Sequence, residues 1–445
     1  MFNHSEKQLS DLASLALDYA KERGATAADV GISESVGQSV SVRLQEIEQL
    51  EYQQEKSFDI TVYVGGRKGN ASSSDFATAS LQATVEAAVN IAKFTAEDDC
   101  AGLADKELLA QHWLDLDLFH PWQLDVDAAI AEAKACEAAA MSADARIHTS
   151  EGAGIHTGSS QYVLANSNGF LAFMQSSRHS KSCSVIAQDE NGMERDYWYD
   201  QSRVAGDLLD NETLGKIAAE RTVRRLGAQQ LPTGVYPVVF DNTVSGSLMG
   251  SLIGAISGGN LYRKSSFLTD SLGTQVLSDI VHLREEPHLL RGLSSTYFDS
   301  EGVATKPRDI IKNGVVEGYF LSSYSARKLN MQSTANAGGA HNLVLQATDT
   351  GLEALLQKMG TGLLVTELMG QGVNMLTGDY SRGAAGFWVE NGVIAYPVAE
   401  ITIAGQLQNM FKNIVAIGND GLKRSSHRIG SIFISEMTVA GDEAS

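Results

Sequence analysis

Apolar residues at every second position run through long stretches of this chain. Val40, Val42 and Leu44 alternate with polar neighbours, and so do Phe58, Ile60, Val62 and Val64. Successive side chains of an extended strand point to opposite faces, so this period builds sheets with one buried face and one wetter face. The buried face needs a cover, and the chain supplies helices. Ser5 with Gln8 makes a capping-box start, Leu9, Leu12, Leu15 and Tyr19 follow at helical spacing, and Gly24 is a natural stop. Leu81, Val85, Ala88 and Ala92 mark a second helix over 75–94, an alanine-rich third covers 125–145, and a fourth covers 211–226. Arg221, Arg224 and Arg225 stand in the last turns of that fourth helix, where positive charge opposes the helix dipole. The stretch 147–204 reads as several strands.

At 445 residues the chain is too long for one ordinary core. Pro232 and Pro237 mark a change of character, because the half that follows is richer in glycine, alternating strands and short turns. Asn313-Gly314 and Asn391-Gly392 each sit between apolar stretches and predict hairpins. One or two short helices are expected beyond residue 260, notably 352–359, with Thr350 and Glu353 as a capping box and Gly360 as the stop. Gly246, Gly250, Gly254 and Gly258 recur every four residues, so a helix there carries a bare groove that something should approach closely, at a propensity cost of roughly 1 kcal/mol per glycine. The expected class is α+β. Residues 1–230 form a domain with a β-sheet packed by helices, and residues 231–445 a mainly antiparallel β domain, barrel-like or strongly bent, with the glycine-striped helix.

Charge narrows the partners. Lys plus Arg total 34 against 54 for Asp plus Glu, and a net charge of -20 repels a polyanion, which argues against direct nucleic-acid contact. The charge-free run 242–262 holds too much Ser, Gly and Asn for a membrane span. Glu6, Lys7 and Asp11 deny the start the apolar core of a signal peptide, and three cysteines, Cys100, Cys136 and Cys183, suit reduced thiols, so a cytoplasmic setting is expected. Hydrolase motifs are missing: there is no Gly-x-Ser-x-Gly elbow and no His-Glu-x-x-His. Gly258 to Ser265 falls one residue short of a phosphate loop, with Arg263 where the second glycine belongs. His282, Glu285, Glu286 and His288 are interrupted by Pro287 and read as a solvated charged loop. His341, in Gly338-Gly339-Ala340-His341-Asn342, is either a substrate contact or a histidine hydrogen-bonded in a turn.

Several longer phrases occur together: Thr366-Glu367-Leu368-Met369-Gly370-Gln371-Gly372, Thr377-Gly378-Asp379-Tyr380-Ser381-Arg382-Gly383, and Tyr396-Pro397-Val398-Ala399-Glu400-Ile401-Thr402. With Tyr262-Arg263-Lys264-Ser265, Phe298-Asp299-Ser300-Glu301-Gly302 and Ser325-Ala326-Arg327-Lys328-Leu329 they resemble the TldD/PmbA family across nearly the whole chain. The resemblance implies a cytoplasmic heterodimer of a TldD-type and a TldE-type subunit, a zinc peptidase acting on unfolded or modified peptides, leader peptides included. It also implies a second class of function, a regulatory protein that modulates DNA gyrase without peptidase chemistry. The TldD-type subunit of that family carries His-Glu-xxx-His on a helix and a cysteine further on. At the matching positions this chain has Asp241, Asn242, Gly246 and Ile417. The implied reading is a chain without catalytic residues or a metal of its own, with zinc in the TldD-type partner and a homodimer as the form taken in that partner's absence. Asp241 alone reads as a helix cap. Asp379, Tyr380 and Arg382, with His341, are the expected peptide-facing groups, the competing reading being an Asp379–Arg382 pair that pins the turn.

Overall fold

The computed structural model describes residues 2–190 and 192–441. Helix α1 (Glu6–Glu22) starts where the capping box lies: Ser5 Oγ accepts from Gln8 N (3.3 Å) while Gln8 Oε1 accepts from Ser5 N (2.8 Å). Strands β1 (Ala27–Arg43), β2 (Glu46–Val64) and β3 (Arg67–Ser73) follow, then α2 (Thr78–Phe94) and α3 (Val126–Ala143). Strands β4 (Ile147–Asn166), β5 (Leu171–Asp189) and β6 (Gly192–Ser202) and helix α4 (Asn211–Val223) complete this half. The six strands form one antiparallel sheet in the order β3-β2-β1-β4-β5-β6. Its central strands run 17 to 20 residues, about 60 Å at the usual rise.

One face of so long a sheet carries two cores. Val30, Ile32, Phe58 and Ile60 lie under α1 and α2, whereas Val42, Ile155, Cys183 and Val185 lie under α3 and α4. Gly69 lets α2 approach β3, since a Cβ there would sit 2.1 Å from Ala88 O. Polar groups fill the gap between the cores. Glu34, fully buried, accepts from Asn3 N (2.8 Å), His4 N (3.2 Å) and Gln161 Nε2 (2.9 Å). Burial alone would raise its pKa, but these bonds outweigh it and hold the carboxyl below the ordinary range. The alternation read through Leu44 stops at Val42: Leu44 and Gln45 take left-handed φ angles of 51° and 65°, turn the chain into β2, and leave Leu44 exposed.

The second half begins with β7 (Gly234–Phe240), α5 (Ser245–Ala255) and α6 (Gly258–Tyr262). Short elements follow: β8 (Leu283–Glu285), β9 (Arg308–Lys312), β10 (Val315–Val316), α7 (Ser323–Lys328), β11 (Leu343–Leu345) and α8 (Leu352–Met359). Then come β12 (Gly362–Met369), β13 (Asp379–Glu390), β14 (Val393–Gln406), α9 (Leu407–Lys412), β15 (Ile414–Ile417), β16 (His427–Arg428) and β17 (Ile432–Ala440). Strands β14-β13-β12-β7-β17 pair in sequence, and β17 returns to β14 at Thr402–Ala440, so five strands close a barrel. Strand β7 runs parallel to β12, and the other pairings in the ring are antiparallel. The strands β10-β9-β8-β11-β16 form a second, curled sheet. The fold is α+β, helix-packed sheet first and barrel second, as expected.

Val238 and Phe240 of β7 share a core with Leu248, Met249 and Leu252 of α5, while Val239 faces the opposite way onto Leu355, Leu356 and Met359 of α8. Both Asn-Gly pairs turn hairpins, with φ of 50° and 77° at Asn313 and Gly314 and 51° and 76° at Asn391 and Gly392. Three details differ from the sequence reading. Helices α7, α8 and α9 all lie beyond residue 260, one more than expected, and α7 starts at a Ser322–Ser325 capping box. Helix α8 begins at Gly351 (φ 102°) without a side-chain cap, so Thr350 and Glu353 form no box. The segment 282–288 is not a solvated loop: Glu285 is buried, pairs with Arg308 Nε (2.8 Å) and accepts from Asn336 Nδ2 (2.8 Å) and His341 N (2.9 Å). Arg203 ties the halves together, its guanidinium donating to the carbonyls of Gly292 (3.1 Å) and Leu293 (2.8 Å).

Candidate functional site

The positions that match the family's metal ligands meet at one end of the barrel. Asp241 follows β7, and its backbone N donates to Val365 O of β12 (2.9 Å). Ile417 ends β15 opposite Ile432 of β17, which in turn lies opposite Phe240 of β7. Asn242 reaches the same loop, donating Nδ2 to Asp420 O (2.8 Å). The donor chemistry is wrong for zinc. Asp241 and Asn242 offer only oxygens, Asp241 Oδ1 already accepting from Thr243 N (2.9 Å) and Thr243 Oγ1 (2.6 Å), Gly246 offers no side chain, and Ile417 is fully buried among aliphatics, so none of the four positions holds an imidazole or a thiolate. These residues do not fit the ion that prefers imidazole and thiolate. Among the described residues no three His, Cys, Asp or Glu side chains gather closely enough to hold a metal. Asp241 is not the helix cap: the cap position of α5 is Val244, and Asp241 holds the turn before it, its carbonyl accepting from Ser245 N (2.8 Å).

The glycine stripe divides in two along α5 and α6. A Cβ on Gly258 would lie 2.3 Å from Ser325 Oγ and one on Gly254 3.2 Å from Met375 Cε, but Gly246 and Gly250 meet nothing within 4 Å. The close approach expected of the whole stripe is therefore found at its last member.

Strand β13 sorts the residues of the expected peptide-facing turn. Asp379 points outward, held by Thr377 Oγ1 (2.5 Å) and by Gln406 Nε2. It forms no pair with Arg382, which reaches across to Ser247 Oγ on α5 (3.4 Å) and keeps a buried Nε without an acceptor. Tyr380 does not face solvent: its ring is buried in the barrel core, and burial pushes its pKa up to about 12 against the opposing effect of Arg382. His341 sits in a separate neighbourhood. It is buried, its Nε2 lies 2.8 Å from Ala335 O, and it borders a cavity of about 300 Å3 with Ser300 and Gly338. A turn-bonded histidine describes it.

Sequence reasoning missed a cavity of about 660 Å3 between the end of the long sheet and the barrel, beside Thr243 and Val244. Its walls include Tyr197, Trp198 and Tyr199 of β6 and Arg221 and Arg225 at the end of α4. Those arginines do more than oppose a dipole. Arg225 Nη2 pairs with Glu367 of β12 (2.6 Å), Arg224 lies over Phe387 of β13 (4.8 Å), and Arg221 lies over Trp198 (4.9 Å). The available signal was the Asp196-Tyr197-Trp198-Tyr199-Asp200 run, unusually aromatic for this chain.

A sheet of very long antiparallel strands is joined to a five-stranded barrel, and α5 starts from the turn 241–244 at the end of β7. Models of the PmbA/TldA metallopeptidase domain 1, central domain and C-terminal domain match residues 28–92, 119–226 and 233–441. The first two share a single sheet here, because β1 pairs with both β2 and β4. The chain is 50% identical over 435 residues to the metalloprotease PmbA of Escherichia coli O157:H7, covering 98% of this chain and 96% of that one. Among solved structures, a candidate modulator of DNA gyrase from Bacteroides thetaiotaomicron superposes with a TM-score of 0.93 at 32% identity, covering 98% and 100% of the two chains. TldE from Thermococcus kodakarensis shares the fold, with a TM-score of 0.85 at 18% identity over 97% and 100%. The chain belongs to the TldD/PmbA metallopeptidase family, on its PmbA side.

Proposed function

We propose that this chain is the TldE-type subunit of a heterodimeric cytoplasmic peptidase, completing a peptide-binding tunnel around a zinc ion carried by a TldD-type partner and holding no catalytic zinc itself. The observation that carries the reading is the end of the barrel: Asp241, Asn242 and Ile417 stand at the ends of neighbouring strands there, and they offer neither the imidazole nor the thiolate that zinc prefers. Unfolded peptide is the substrate class: on β13 Asp379 stands on the exposed side as a group that can meet it, whereas Arg382 shares the face of the buried Tyr380 and would reach peptide only at the barrel end, beside Ser247 of α5.

The test uses the purified chain alone and mixed with a TldD-type subunit. Elemental analysis is expected to find no stoichiometric zinc in the chain alone, and unfolded peptide to be cleaved by the mixture only. One tightly held zinc per chain with chelator-sensitive cleavage would sink the proposal. The Bacteroides relative is named for gyrase modulation, which favours a second reading, a regulatory protein that binds a protein target. The net charge of -20 argues against direct DNA contact in that case too. Co-purification separates the readings: a stoichiometric TldD-type partner supports the peptidase, and gyrase subunits captured without such a partner support the regulator.

A further inference from the structure

Strand β2 has a long edge that no described strand covers. Strand β1 pairs with it from Glu46 to Tyr63, whereas β3, its other neighbour among the described residues, pairs with it only from Phe58 to Val64. Along 46–57, about 40 Å at the usual rise, alternate residues therefore turn their N–H and C=O groups outward with no strand to meet them. Such an edge is a template for another chain, and proteins usually shorten it or load it with charge.

Here one face of the edge is apolar and the other acidic. A bulge beside Ser41 and Val42 sets Ile47 opposite Val42 and Leu50 opposite Val40, with Tyr52 opposite Gln38, so all three stand on the helix-covered face. They are 51%, 53% and 66% exposed, so no helix reaches them. Glu51 and Glu55, opposite Ser39 and Ser35, stand on the other face. Glu51 accepts from its neighbours Gln49 and Gln53 (3.0 and 2.9 Å), and neither glutamate has a cation within ion-pair distance among the described residues. Tyr52 also forms one wall of a cavity of about 340 Å3, whose other aromatic walls are Phe2, Phe119 and Trp122. The rings of Phe2 and Phe119 stack there at 6.2 Å. Main-chain groups to pair with and an aromatic hollow beside them are the two components of recognition by strand addition.

We propose that the open edge of β2 and this cavity form a peptide-binding site. An extended segment adds as a strand along 46–57, lays apolar side chains over Ile47, Leu50 and Tyr52 with an aromatic one reaching the cavity, and turns lysine or arginine towards Glu51 and Glu55. A second copy of this chain is a poor occupant, because two such edges would set glutamate against glutamate. The choice of unfolded peptide over a strand of a folded partner rests on the substrate class proposed above. Binding is measured on this chain alone, so its failure is separate from a failure of cleavage.

The probe is fluorescein-labelled Lys-Val-Lys-Phe-Lys-Val-Lys amide, titrated against the full chain by anisotropy, beside its Glu-for-Lys counterpart and two forms N-methylated either on the lysines or on the apolar residues. Only alternate amides of an added strand face β2, so one N-methylated form should lose binding about tenfold or more while the other keeps it. Tyr52→Ala and Glu55→Lys, both at exposed positions, should each weaken the basic peptide about tenfold without a change in melting temperature. Hydrogen exchange should show amides within 46–57 slowed by the peptide. No binding up to about 1 mM, equal affinity for the two N-methylated forms, tighter binding of the acidic peptide, or wild-type affinity in both variants would each overturn the proposal. Protection of 46–57 by a TldD-type subunit and none by peptide would give the edge to that partner and overturn it as well.

Discussion

Two glycines of one stripe should respond in opposite directions to the same methyl group. At Gly250 an added Cβ meets nothing within 4 Å, so Gly250→Ala acts through helix propensity alone and should stabilise the barrel domain by roughly 0.5–1 kcal/mol. At Gly258 the Cβ would lie 2.3 Å from Ser325 Oγ, 2.6 Å from Ser325 Cβ and 2.9 Å from Leu321 Cδ2. Ser325 cannot swing aside cheaply, because its hydroxyl belongs to the capping box of α7 with Ser322. Gly258 N also donates to Phe320 O (2.8 Å), which fixes the backbone on that side. Overpacking of this kind costs about 1–3 kcal/mol, so Gly258→Ala should be destabilising and the two variants should differ by about 1.5–4 kcal/mol. Urea unfolding midpoints measure the difference, and thermal melts should separate by several degrees at about 2–4 °C per kcal/mol for a domain of this size. A destabilised Gly250→Ala or a neutral Gly258→Ala would refute the reasoning. Gly250→Leu extends it to assembly: a variant stable alone that fails to join its partner would show what covers the open part of the groove.

Arg382→Ala should reduce peptide turnover by the assembled complex with little change in melting temperature, because its side-chain bond to Ser247 is a long one at 3.4 Å; lower stability with intact turnover per folded complex would place the peptide path elsewhere. Glu285→Ala should cost about 3–5 kcal/mol by leaving Arg308 buried without its partner, and an unfolding midpoint within error of wild type would count against the buried pair. Burial pushes the Asp29 and Asp299 carboxyls up to about 7, so the native state keeps protons that the unfolded chain has released. Their contribution is complete below about pH 4 and is lost as pH rises through about 7. Stability should therefore fall between pH 5 and 7.5 by less in Asp29→Asn than in the wild type, and an unchanged difference would contradict the assignment.

Local signals carried much of the fold. The capping box at Ser5, the Asn-Gly turns and the α8 stop at Gly360 all rest on neighbouring residues, and each is found where the pattern places it. Barrel closure is different in kind: it joins Thr402 to Ala440 and Phe240 to Ile432, and no short window contains both partners. The arginines at the end of α4 show the same limit, since a basic last turn has the same sequence whether it meets water or the second domain. Tyr380 shows another, because alternation states that two faces differ without saying which one the barrel encloses. At the candidate site, the likeness to the family located Asp241, Asn242 and Ile417, but the bonds of Asp241 to Thr243 and of Asn242 to Asp420 are a matter of side-chain geometry. The cavity around Trp198 was illegible, because its walls come from both domains.

The closing strand has a consequence for how the protein is made. Strand β17 sits between β7 and β14, yet it follows every other described element in the chain. On the ribosome, the helix-covered sheet has all its strands by Ser202, whereas the barrel waits with Phe240 and Ile403 unsealed until Ile432–Ala440 emerges. The expected nascent protein is a folded front half towing an open, apolar back half, a natural client for a holding chaperone. Proteolysis of stalled chains would reveal it: protection of the first half should precede protection of the second, and the second should appear abruptly once β17 clears the tunnel.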